Sequence, residues 1–310
     1  MRKLEGVIEA QQFERETLET VFSLADKMEA VSVGDSLRGK IMCTLFYEPS
    51  TRTRMSFEAA MKRLGGEVIS TENAREFSSG AKGESLEDTV RVISGYVDVI
   101  VLRYDQEGGA RRAQDFSVVP IINAGDGTGQ HPTQALLDIY TIRKFFGEVS
   151  RLKIAMVGDL ANGRTVRSLC YFLAKHYPSN QIFFVSPVQV RMKEDIKAYL
   201  NRYGVKWTET DNLASVLSEV DVIYQTRVQK ERFKDNRALY EQVIKESEEL
   251  VIKETSLGLM KDSAIIMHPL PRITEISYGV DKDKRAVYFQ QAKFGLFVRM
   301  ALLEMMLVGY

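Results

Sequence analysis

A hydroxyl- and arginine-rich pentapeptide, Ser50-Thr51-Arg52-Thr53-Arg54, lies between an apolar run at 41–47 and a segment whose apolar residues have helical spacing. This pattern predicts a strand that leads into a helix, whose first turn directs unpaired N–H groups and the positive end of its dipole at one spot. Short hydroxyl donors and guanidinium forks supply the other groups that a phosphate needs. Helix capping alone requires one such residue. The pentapeptide therefore predicts an anion site.

Two further polar features follow in the first half of the chain. Arg103 comes after an apolar run that ends at Leu102, and the segment from Gly125 to Gln134 leads into a long helical pattern. His131 is one of three histidines and stands at the start of that helix, where the dipole favours a neutral imidazole. Taken alone, Arg103 is typical of a surface residue, and His131 is equally well explained as a capping residue.

A glycine-containing loop, Gly158-Asp159-Leu160-Ala161-Asn162-Gly163-Arg164-Thr165, opens the second half. It matches the phosphate loop of nucleotide triphosphatases except that Arg164 replaces the lysine. A guanidinium is a poor substitute for that compact charge, no apolar strand ends in an Asp suited to magnesium, and the glycine spacing does not fit a dinucleotide site. We interpret Arg164 as a residue whose guanidinium binds a carboxylate of the ligand. A nucleotidase, which would show magnesium-dependent ATP or GTP turnover, is the alternative.

Two basic loops complete the set of candidate binding residues. Residues 226–232 carry Arg227, Lys230 and Arg232, and residues 268–272 read His-Pro-Leu-Pro-Arg. Together they predict a cationic mouth on the second half of the chain, with an exposed basic loop as the alternative interpretation. The polar segment 76–84, which contains two glycines, is typical of a mobile surface loop.

These residues follow short apolar runs that alternate with helical patterns. The predicted strands are 41–47, 67–70, 98–102 and 119–123 in the first half, and 153–157, 181–185, 220–224 and 264–267 in the second. A leading helix is predicted at 12–30, a long helix at 131–146 and a final helix at about 291–307. We predict an α/β fold with two doubly wound parallel-sheet domains joined by the long helix, and ligand sites beyond the carboxyl ends of the strands.

Bulk composition limits the functional class. The 310 residues suffice for two domains, and 42 basic residues balance 42 acidic residues, which argues against a nucleic-acid or membrane-surface partner. The first residues lack the apolar core of a secretory signal, and no stretch approaches the ~18 apolar residues of a membrane span. Cys43 and Cys170 lie in apolar contexts without disulfide or metal spacing. We therefore expect a soluble, cytoplasmic protein with reduced core cysteines.

The pentapeptide closely resembles the carbamoyl-phosphate loop of the transcarbamylases, the aspartate/ornithine carbamoyltransferase family. The segment Gly125–Gln134 resembles the family's second signature, in which the His and Gln hold the carbamoyl group. Every family motif is present in order, and the resemblance spans essentially the whole chain. It implies a carbamoyl-phosphate-binding domain at 1–133, to which a C-terminal helix at 291–310 returns, and an aspartate-binding domain at 134–290.

The residues after His268 distinguish two branches of the family. Ornithine-specific members carry a Cys after this His, whereas Pro269 stands here, and the arginines of the second half suit a dicarboxylate. The resemblance thus implies transfer of a carbamoyl group from carbamoyl phosphate to the amine of L-aspartate, an early step of pyrimidine biosynthesis. The alternatives are another, ornithine-type transcarbamylase and a catalytically silent homologue that binds metabolites or acts as a scaffold.

The resemblance also implies a role for each candidate residue. The phosphate is bound by Ser50, Thr51, Arg52, Thr53 and Arg103; the carbonyl oxygen receives hydrogen bonds from Thr53, Arg103 and His131; and the carbamoyl NH₂ is oriented by Gln134 and the carbonyls of Leu270 and Pro271. Aspartate is bound by Arg164, Arg227 and Gln229. Ser78 and Lys82 reach in from a neighbouring subunit, which implies a homotrimer with shared active sites. No metal or organic cofactor is expected. One departure from the family pattern is Tyr104, where a His is common.

Overall fold

The computed structural model describes residues 2–31, 33–72, 74, 83–230, 233 and 236–310. These form two compact units, Met1–Tyr140 with Ala292–Tyr310, and Thr141–Gln291. The division falls after Tyr140, and the boundary expected from the sequence falls between residues 133 and 134; both positions lie inside the predicted long helix. The α-helices in chain order are α1 (Arg15–Ala30), α2 (Thr51–Arg63), α3 (Leu86–Ser94), α4 (Gly109–Phe116), α5 (Pro132–Phe146), α6 (Arg164–His176), α7 (Glu194–Arg202), α8 (Ala214–Leu217), α9 (Arg237–Ser247), α10 (Glu254–Leu257) and α11 (Tyr288–Leu307).

The first unit is built on a four-stranded parallel sheet. Its strands are β1 (Ile41–Phe46), β2 (Glu67–Glu72), β3 (Val99–Tyr104) and β4 (Ile121–Asp126), in the order β2-β1-β3-β4. The strands β1, β3 and β4 are almost entirely buried, as expected of apolar parallel strands covered on both faces. Because the order reverses between β1 and β3, a topological switch point lies there, where open α/β sheets bind ligands.

The C-terminal helix α11 packs onto the first unit. The backbone N–H of Leu4 donates to the carbonyl of Met305 (3.1 Å), and that of Tyr310 donates to the carbonyl of Arg2 (3.0 Å). The Lys3 ammonium donates to the carbonyl of Leu307 (2.8 Å). These bonds tie the end of the chain to its beginning, which confirms that the final helix returns to the first domain.

The second unit contains a five-stranded parallel sheet. Its strands are β5 (Lys153–Val157), β6 (Gln181–Val185), β7 (Lys206–Thr210), β8 (Val222–Gln225) and β9 (Ile265–Met267), in the order β7-β6-β5-β8-β9. The order reverses between β5 and β8, so the switch point of this sheet lies between those strands. The loops after β5 and β8 carry Arg164 and Arg227, and the fold therefore brings them to one place.

Two parallel-sheet units confirm the predicted fold class. Strands β5 and β6 have the predicted bounds, the other predicted strands differ by up to a few residues, and β7 was not predicted. Cys43 and Cys170 are buried free thiols, and burial raises the pKa of Cys43 to about 12. Among the helices of the described residues, none is long and apolar enough to cross a membrane.

Candidate active site

The predicted anion site lies at the switch point of the first sheet. Strand β1 ends at Phe46, which pairs with Arg103 of the neighbouring β3, and the chain then turns into α2 at Thr51. Arg103 Nη1 donates to the Ser50 hydroxyl (3.3 Å). The structure thus brings two predicted phosphate ligands, 53 residues apart in sequence, into direct contact beside a helix N-terminus.

The side chain of Arg103 is held in place from its other edge. Its Nε lies 3.4 Å from a carboxylate oxygen of Glu48, and the Arg103 side chain is 15% exposed. A guanidinium whose Nε edge faces the carboxylate of an ion pair still presents Nη donors to an incoming oxyanion. The Tyr47 backbone N–H also donates to the Arg103 carbonyl (2.9 Å), which fixes the loop to β3.

The two arginines of the pentapeptide have different surroundings in the first turn of α2. Arg52 is exposed, and Thr53 is buried with 7% of its surface accessible. Arg54 instead donates to Glu58 (3.2 Å), Ser70 (3.1 Å) and Glu72 (2.9 Å), so it links α2 to the edge strand β2. Ser50 is the N-cap residue, but its hydroxyl makes no capping bond and accepts from Arg103 instead. Arg54 therefore has a structural role, while Arg52 remains a candidate ligand.

The start of α5 is positioned by a loop after β4. Asp126 accepts hydrogen bonds from the backbone N–H groups of Gln130 (2.7 Å) and Gly108 (3.2 Å). The Gln130 side chain in turn accepts from the N–H of Ala10 (2.8 Å). These contacts fix the residue before His131, so that the helix begins at Pro132 in the first-turn position that suits proline.

His131 and Gln134 are both buried at the N-terminus of α5, with 4% and 8% of their surfaces accessible. The Thr133 hydroxyl lies 3.4 Å from His131 Nδ1. Gln134 Nε2 donates to a carboxylate oxygen of Asp138 (2.9 Å), one turn further along the helix. Since β4 is adjacent to β3, the start of α5 and the end of β3 lie at the same edge of the sheet.

Tyr104, the residue that departs from the family pattern, packs into the core of the first unit. Its ring meets that of Tyr47 edge-on with 4.9 Å between centroids. A Cβ on Gly109 would come within 2.4 Å of Tyr104 Cδ1, so the tyrosine ring occupies the space that the glycine leaves open. The side chain is 8% exposed and serves packing at the end of β3.

A buried carboxylate that the sequence analysis did not single out organises the second unit's loops. Asp159, fully buried after β5, accepts from the N–H of Asn162 (3.1 Å) and from the N–H of Gln229 (3.4 Å). The Gln229 side chain donates to the Asn162 carbonyl (2.9 Å). The loops after β5 and β8 are thus joined around one anion. The available sequence signal was an Asp two residues after the end of an apolar strand.

Gly158 lets the same two loops approach each other closely. Its φ is +113°, a conformation that favours glycine, and an added Cβ would lie 2.3 Å from the Thr226 carbonyl oxygen. The Thr226 hydroxyl donates to the Val157 carbonyl (2.9 Å). Arg227 follows Thr226 directly, so this contact sets the point from which the Arg227 side chain extends.

The predicted aspartate ligands stand around this junction. Arg164 is the first residue of α6, after the N-cap Gly163, and is half-buried. Arg227 and Gln229 are half-buried in the loop after β8. Because β5 and β8 are neighbours in the sheet, their loops place two guanidinium groups and an amide at one switch point. That arrangement suits a ligand with carboxylates.

The loop after β9 is held by His268, which is 2% exposed. Its Nδ1 accepts from the Leu270 N–H (2.7 Å), and its Nε2 lies 2.8 Å from a Glu275 oxygen. Burial raises the pKa of Glu275, but the His268 contact and backbone hydrogen bonds outweigh it and leave that pKa below the ordinary value. Leu270 has a φ of +54°, and the bond to Pro271 is cis. The two backbone carbonyls predicted as ligands belong to this loop, which the hydrogen bond from Leu270 to His268 ties to its start.

The predicted place of Arg272 in a cationic mouth is wrong. Its guanidinium pairs with the Asp281 carboxylate and donates to the Tyr288 hydroxyl (2.9 Å). It also lies over the rings of Tyr278 and Phe289, 4.5 Å and 5.8 Å from their centroids. With a side chain only 7% exposed, Arg272 is a structural residue of the second unit.

Three predicted residues, Ser78, Lys82 and Arg232, lie outside the described residues. Within the described ranges, no group of three or more His, Cys, Asp and Glu side chains is arranged to hold a metal ion.

Comparisons with known proteins cover nearly the whole chain. The carbamoyl-P binding domain model of aspartate/ornithine carbamoyltransferase matches residues 6–144, and the Asp/Orn binding domain model of the same family matches residues 150–306. A Pisum sativum relative named aspartate carbamoyltransferase 3, chloroplastic, is 56% identical over 312 residues, which cover 99% of this chain and 79% of the relative.

Two solved structures share the fold. The catalytic subunit of M. jannaschii aspartate transcarbamoylase is 47% identical, with a TM-score of 0.88 over 98% of each chain. Trypanosoma cruzi aspartate transcarbamoylase in complex with carbamoyl phosphate and aspartate is 40% identical, with a TM-score of 0.92 over 97% of this chain and 96% of that one.

The expected cytoplasmic location is wrong. The Pisum sativum relative and four further plant relatives, all 55–56% identical to this chain, are named chloroplastic.

Both halves of the chain match one family, and the site motifs lie near the switch points of the two sheets. The chain belongs to the aspartate/ornithine carbamoyltransferase family.

Proposed function

We propose that this protein transfers the carbamoyl group of carbamoyl phosphate to the amine of L-aspartate, which gives N-carbamoyl-L-aspartate and phosphate. The observation that carries the proposal is that both parallel sheets place cationic side chains at their switch points. The reaction joins a phosphate-bearing substrate to a dicarboxylate, so it requires cations for both. The product enters de novo pyrimidine biosynthesis.

The first unit, Met1–Tyr140 with Ala292–Tyr310, is proposed to bind carbamoyl phosphate. The N-terminus of α2 supplies backbone N–H donors, and Arg103 supplies a cation already oriented by Glu48 and Ser50. The proposed phosphate ligands are Ser50, Thr51, Arg52, Thr53 and Arg103. The proposed donors to the carbonyl oxygen are Thr53, Arg103 and His131, and each is worth about 3 kcal/mol where it stabilises developing negative charge.

The second unit, Thr141–Gln291, is proposed to bind aspartate. Arg164 and Arg227 extend from neighbouring loops and are proposed to bind the two carboxylates, with Gln229 as a polar partner. Gln134 of the first unit and the carbonyls of Leu270 and Pro271 are proposed to orient the carbamoyl NH₂. Lys82, outside the described residues, is proposed as a further aspartate ligand.

The chemistry needs no protein nucleophile. The aspartate nitrogen forms a bond to the carbamoyl carbon, the bond from that carbon to the phosphate oxygen breaks, and the nitrogen passes a proton to the departing phosphate. The side chains named above contribute by holding the reactants and by stabilising charge that develops on the carbonyl oxygen and the departing phosphate. A buried His131 suits the role of a neutral donor in this scheme, because the α5 dipole disfavours the imidazolium.

We also propose a homotrimer with shared active sites. The support is the family resemblance of segment 76–84, whose Lys82 then serves a neighbouring subunit. A plastid location is proposed from the names of the plant relatives. Fusion of the full-length gene product to a fluorescent protein would test it, and signal outside plastids in plant cells would contradict it.

The decisive assay measures phosphate release and N-carbamoyl-L-aspartate formation from carbamoyl phosphate, with aspartate and ornithine as competing acceptors. We expect turnover with aspartate and at least a hundredfold lower kcat/KM with ornithine, because an ammonium group would face Arg164 and Arg227. Citrulline formation from ornithine at a comparable rate would indicate the ornithine-type alternative. Absence of turnover with either acceptor would indicate the silent homologue.

A further inference from the structure

A buried polar network lies beneath the start of α5. Gln134 and Asp138 are one helical turn apart, and Gln134 Nε2 donates to Asp138 Oδ1 over 2.9 Å. Asp138 is fully buried and Gln134 is 8% exposed. A hydrogen bond of this length between two buried groups fixes both side chains more firmly than a surface bond would.

The chemistry of the pair selects one orientation of the amide. A glutamine amide presents an acceptor oxygen on one side and donor hydrogens on the other. An ionised carboxylate only accepts, so it holds the NH₂ group towards itself and directs Oε1 of Gln134 away. Without that carboxylate, the two flipped orientations of the amide would be similar in energy. Only the orientation with Oε1 outward accepts a hydrogen bond from an amide NH₂ of a ligand.

A buried arginine provides the countercharge for Asp138. Arg299 of α11 is 4% exposed, and its guanidinium carbon lies 5.0 Å from the centroid of the Phe57 ring in α2. Burial lowers the pKa of Arg299 to about 10, and the charge of Asp138 opposes that lowering. The guanidinium therefore remains cationic near neutral pH. A Cβ on Gly295 would come within 2.5 Å of Arg299 Nη1, so the glycine makes room for the buried side chain.

We propose that Asp138 is a positioning residue for carbamoyl transfer, because its carboxylate, supported by Arg299, fixes the Gln134 amide with its oxygen towards the carbamoyl NH₂. This inference rests on the proposed function of Gln134. Asp138 touches no substrate and acts through Gln134. The same network joins α5, which carries Gln134, to α11 and to α2, which carries the phosphate loop.

The test separates binding of the amide from binding of the phosphate. Phosphonoacetamide carries a phosphonate and a primary amide, whereas inorganic phosphate lacks the amide. Two double variants remove both charges at similar volume, Asp138→Asn/Arg299→Met and Asp138→Leu/Arg299→Met. They differ in that only the asparagine can still accept from Gln134 Nε2. Dissociation constants for both ligands are measured by calorimetry on each folded protein and on the wild type.

We expect the leucine protein to bind phosphonoacetamide about tenfold more weakly than the wild type, the size of one lost neutral hydrogen bond. The asparagine protein should bind phosphonoacetamide within about threefold of the wild-type affinity. The dissociation constants of the three proteins for inorganic phosphate should agree within about twofold. Equal phosphonoacetamide affinity in the two double variants would overturn the proposal. So would equal weakening of both ligands, because general damage to the site affects phosphate as well.

A second pair of variants does not depend on the leucine protein folding. Gln134→Glu places a carboxylate against that of Asp138, and we expect at least a tenfold loss of phosphonoacetamide affinity from repulsion and misorientation. Adding Asp138→Asn supplies an N–H donor to the new carboxylate. The double variant should therefore bind phosphonoacetamide at least threefold more tightly than Gln134→Glu alone. Absence of any recovery in a folded double variant would overturn the proposal.

These outcomes are distinct from failure of the proposed function. If the wild type forms no N-carbamoyl-L-aspartate, the proposed reaction is wrong whatever the variants bind. If the wild type is active and the two arginine-lacking double variants bind phosphonoacetamide equally, only the positioning role of Asp138 is wrong.

Discussion

Replacement of Gly158 by alanine tests the close junction between the loops after β5 and β8. The residue has a φ of +113°, and the added Cβ would lie 2.3 Å from the Thr226 carbonyl oxygen and 2.8 Å from its hydroxyl oxygen. Both neighbours belong to a backbone segment that hydrogen-bonds to β5, so neither moves freely. The substitution must therefore strain Gly158, displace Thr226, or both.

Two contributions set the expected loss of stability in Gly158→Ala. Holding a residue with a side chain in this backbone region costs about 1–3 kcal/mol. Relieving the overlap with Thr226 resembles overpacking of a core and costs about 1–3 kcal/mol more. We expect the free energy of unfolding to fall by about 4 kcal/mol, within the ~5–15 kcal/mol that typical domains have. A shift of about 1 Å at Thr226 also misplaces Arg227, which should raise KM for aspartate by at least tenfold.

Gly204→Ala is the matched control. Gly204 also belongs to the second unit and has a φ of +72°, but a Cβ there meets no atom within 4 Å. The Gly204→Ala variant should lose about 1–2 kcal/mol of its free energy of unfolding from strain alone, and its KM for aspartate should be unchanged. Urea unfolding monitored by circular dichroism gives the stabilities, and initial rates give KM. Inorganic phosphate should bind both variants like the wild type, because its proposed ligands lie in the first unit.

Two results would refute this reasoning. If Gly158→Ala and Gly204→Ala lose equal stability, the overlap with Thr226 contributes nothing. If Gly158→Ala loses the expected stability but retains its KM for aspartate, the junction does not position Arg227.

Three further predictions concern separate residues. His131→Asn should retain more kcat than His131→Ala because its amide keeps a donor, and equal losses accompanied by a missing limb in the pH–rate profile would indicate a general base. The hydrogen bond from Arg272 lowers the pKa of Asp281, so the pair stabilises the fold at neutral pH, and this contribution is lost as pH falls through that lowered pKa. Arg272→Met should therefore lower the free energy of unfolding by about 1.5–3 kcal/mol near pH 7 and by clearly less near pH 3. Equal losses at both pH values would contradict this dependence on the charge of Asp281. Mixing inactive Lys82→Ala and Arg52→Ala chains under exchanging conditions should restore a fraction of the activity if sites are shared, and confirmed exchange without activity would remove the trimer argument.

The sequence predicted the sheets well where strands are buried. Strands β5 and β6 are continuous apolar runs, and their predicted bounds match the structure because both faces of these central parallel strands are covered. Strand β7 escaped prediction because it lies at the edge of the sheet and all five of its residues are exposed or half-buried. Its Lys-Trp-Thr-Glu-Thr sequence has no continuous apolar run for a pattern search to find.

The sequence also located the candidate loops but could not assign every arginine in them. Arg52 and Arg54 are two residues apart, yet Arg54 bonds to Glu72 of β2, 18 residues further along the chain. Arg272 ends a loop that resembles a substrate-binding motif, but its partner Asp281 lies nine residues away and Tyr288 sixteen. A pattern of cations identifies where an anion site lies. Which cation is free for a ligand depends on acids that reach it through the fold.

Asp159 and Asp138 were absent from the predicted ligands for a related physical reason. A search for groups that bind anionic substrates selects cations and hydroxyls, and a carboxylate there would repel the ligand. Both aspartates are fully buried behind the site, where they accept from the protein's own N–H groups, Gln229 in one case and Gln134 in the other. Each thereby fixes the direction of a donor or an amide that could otherwise rotate. A site for two anionic substrates therefore uses buried carboxylates one layer away from the ligands. Each carboxylate accepts from a donor of the residue in front of it, and that bond fixes how the residue is oriented towards the ligand.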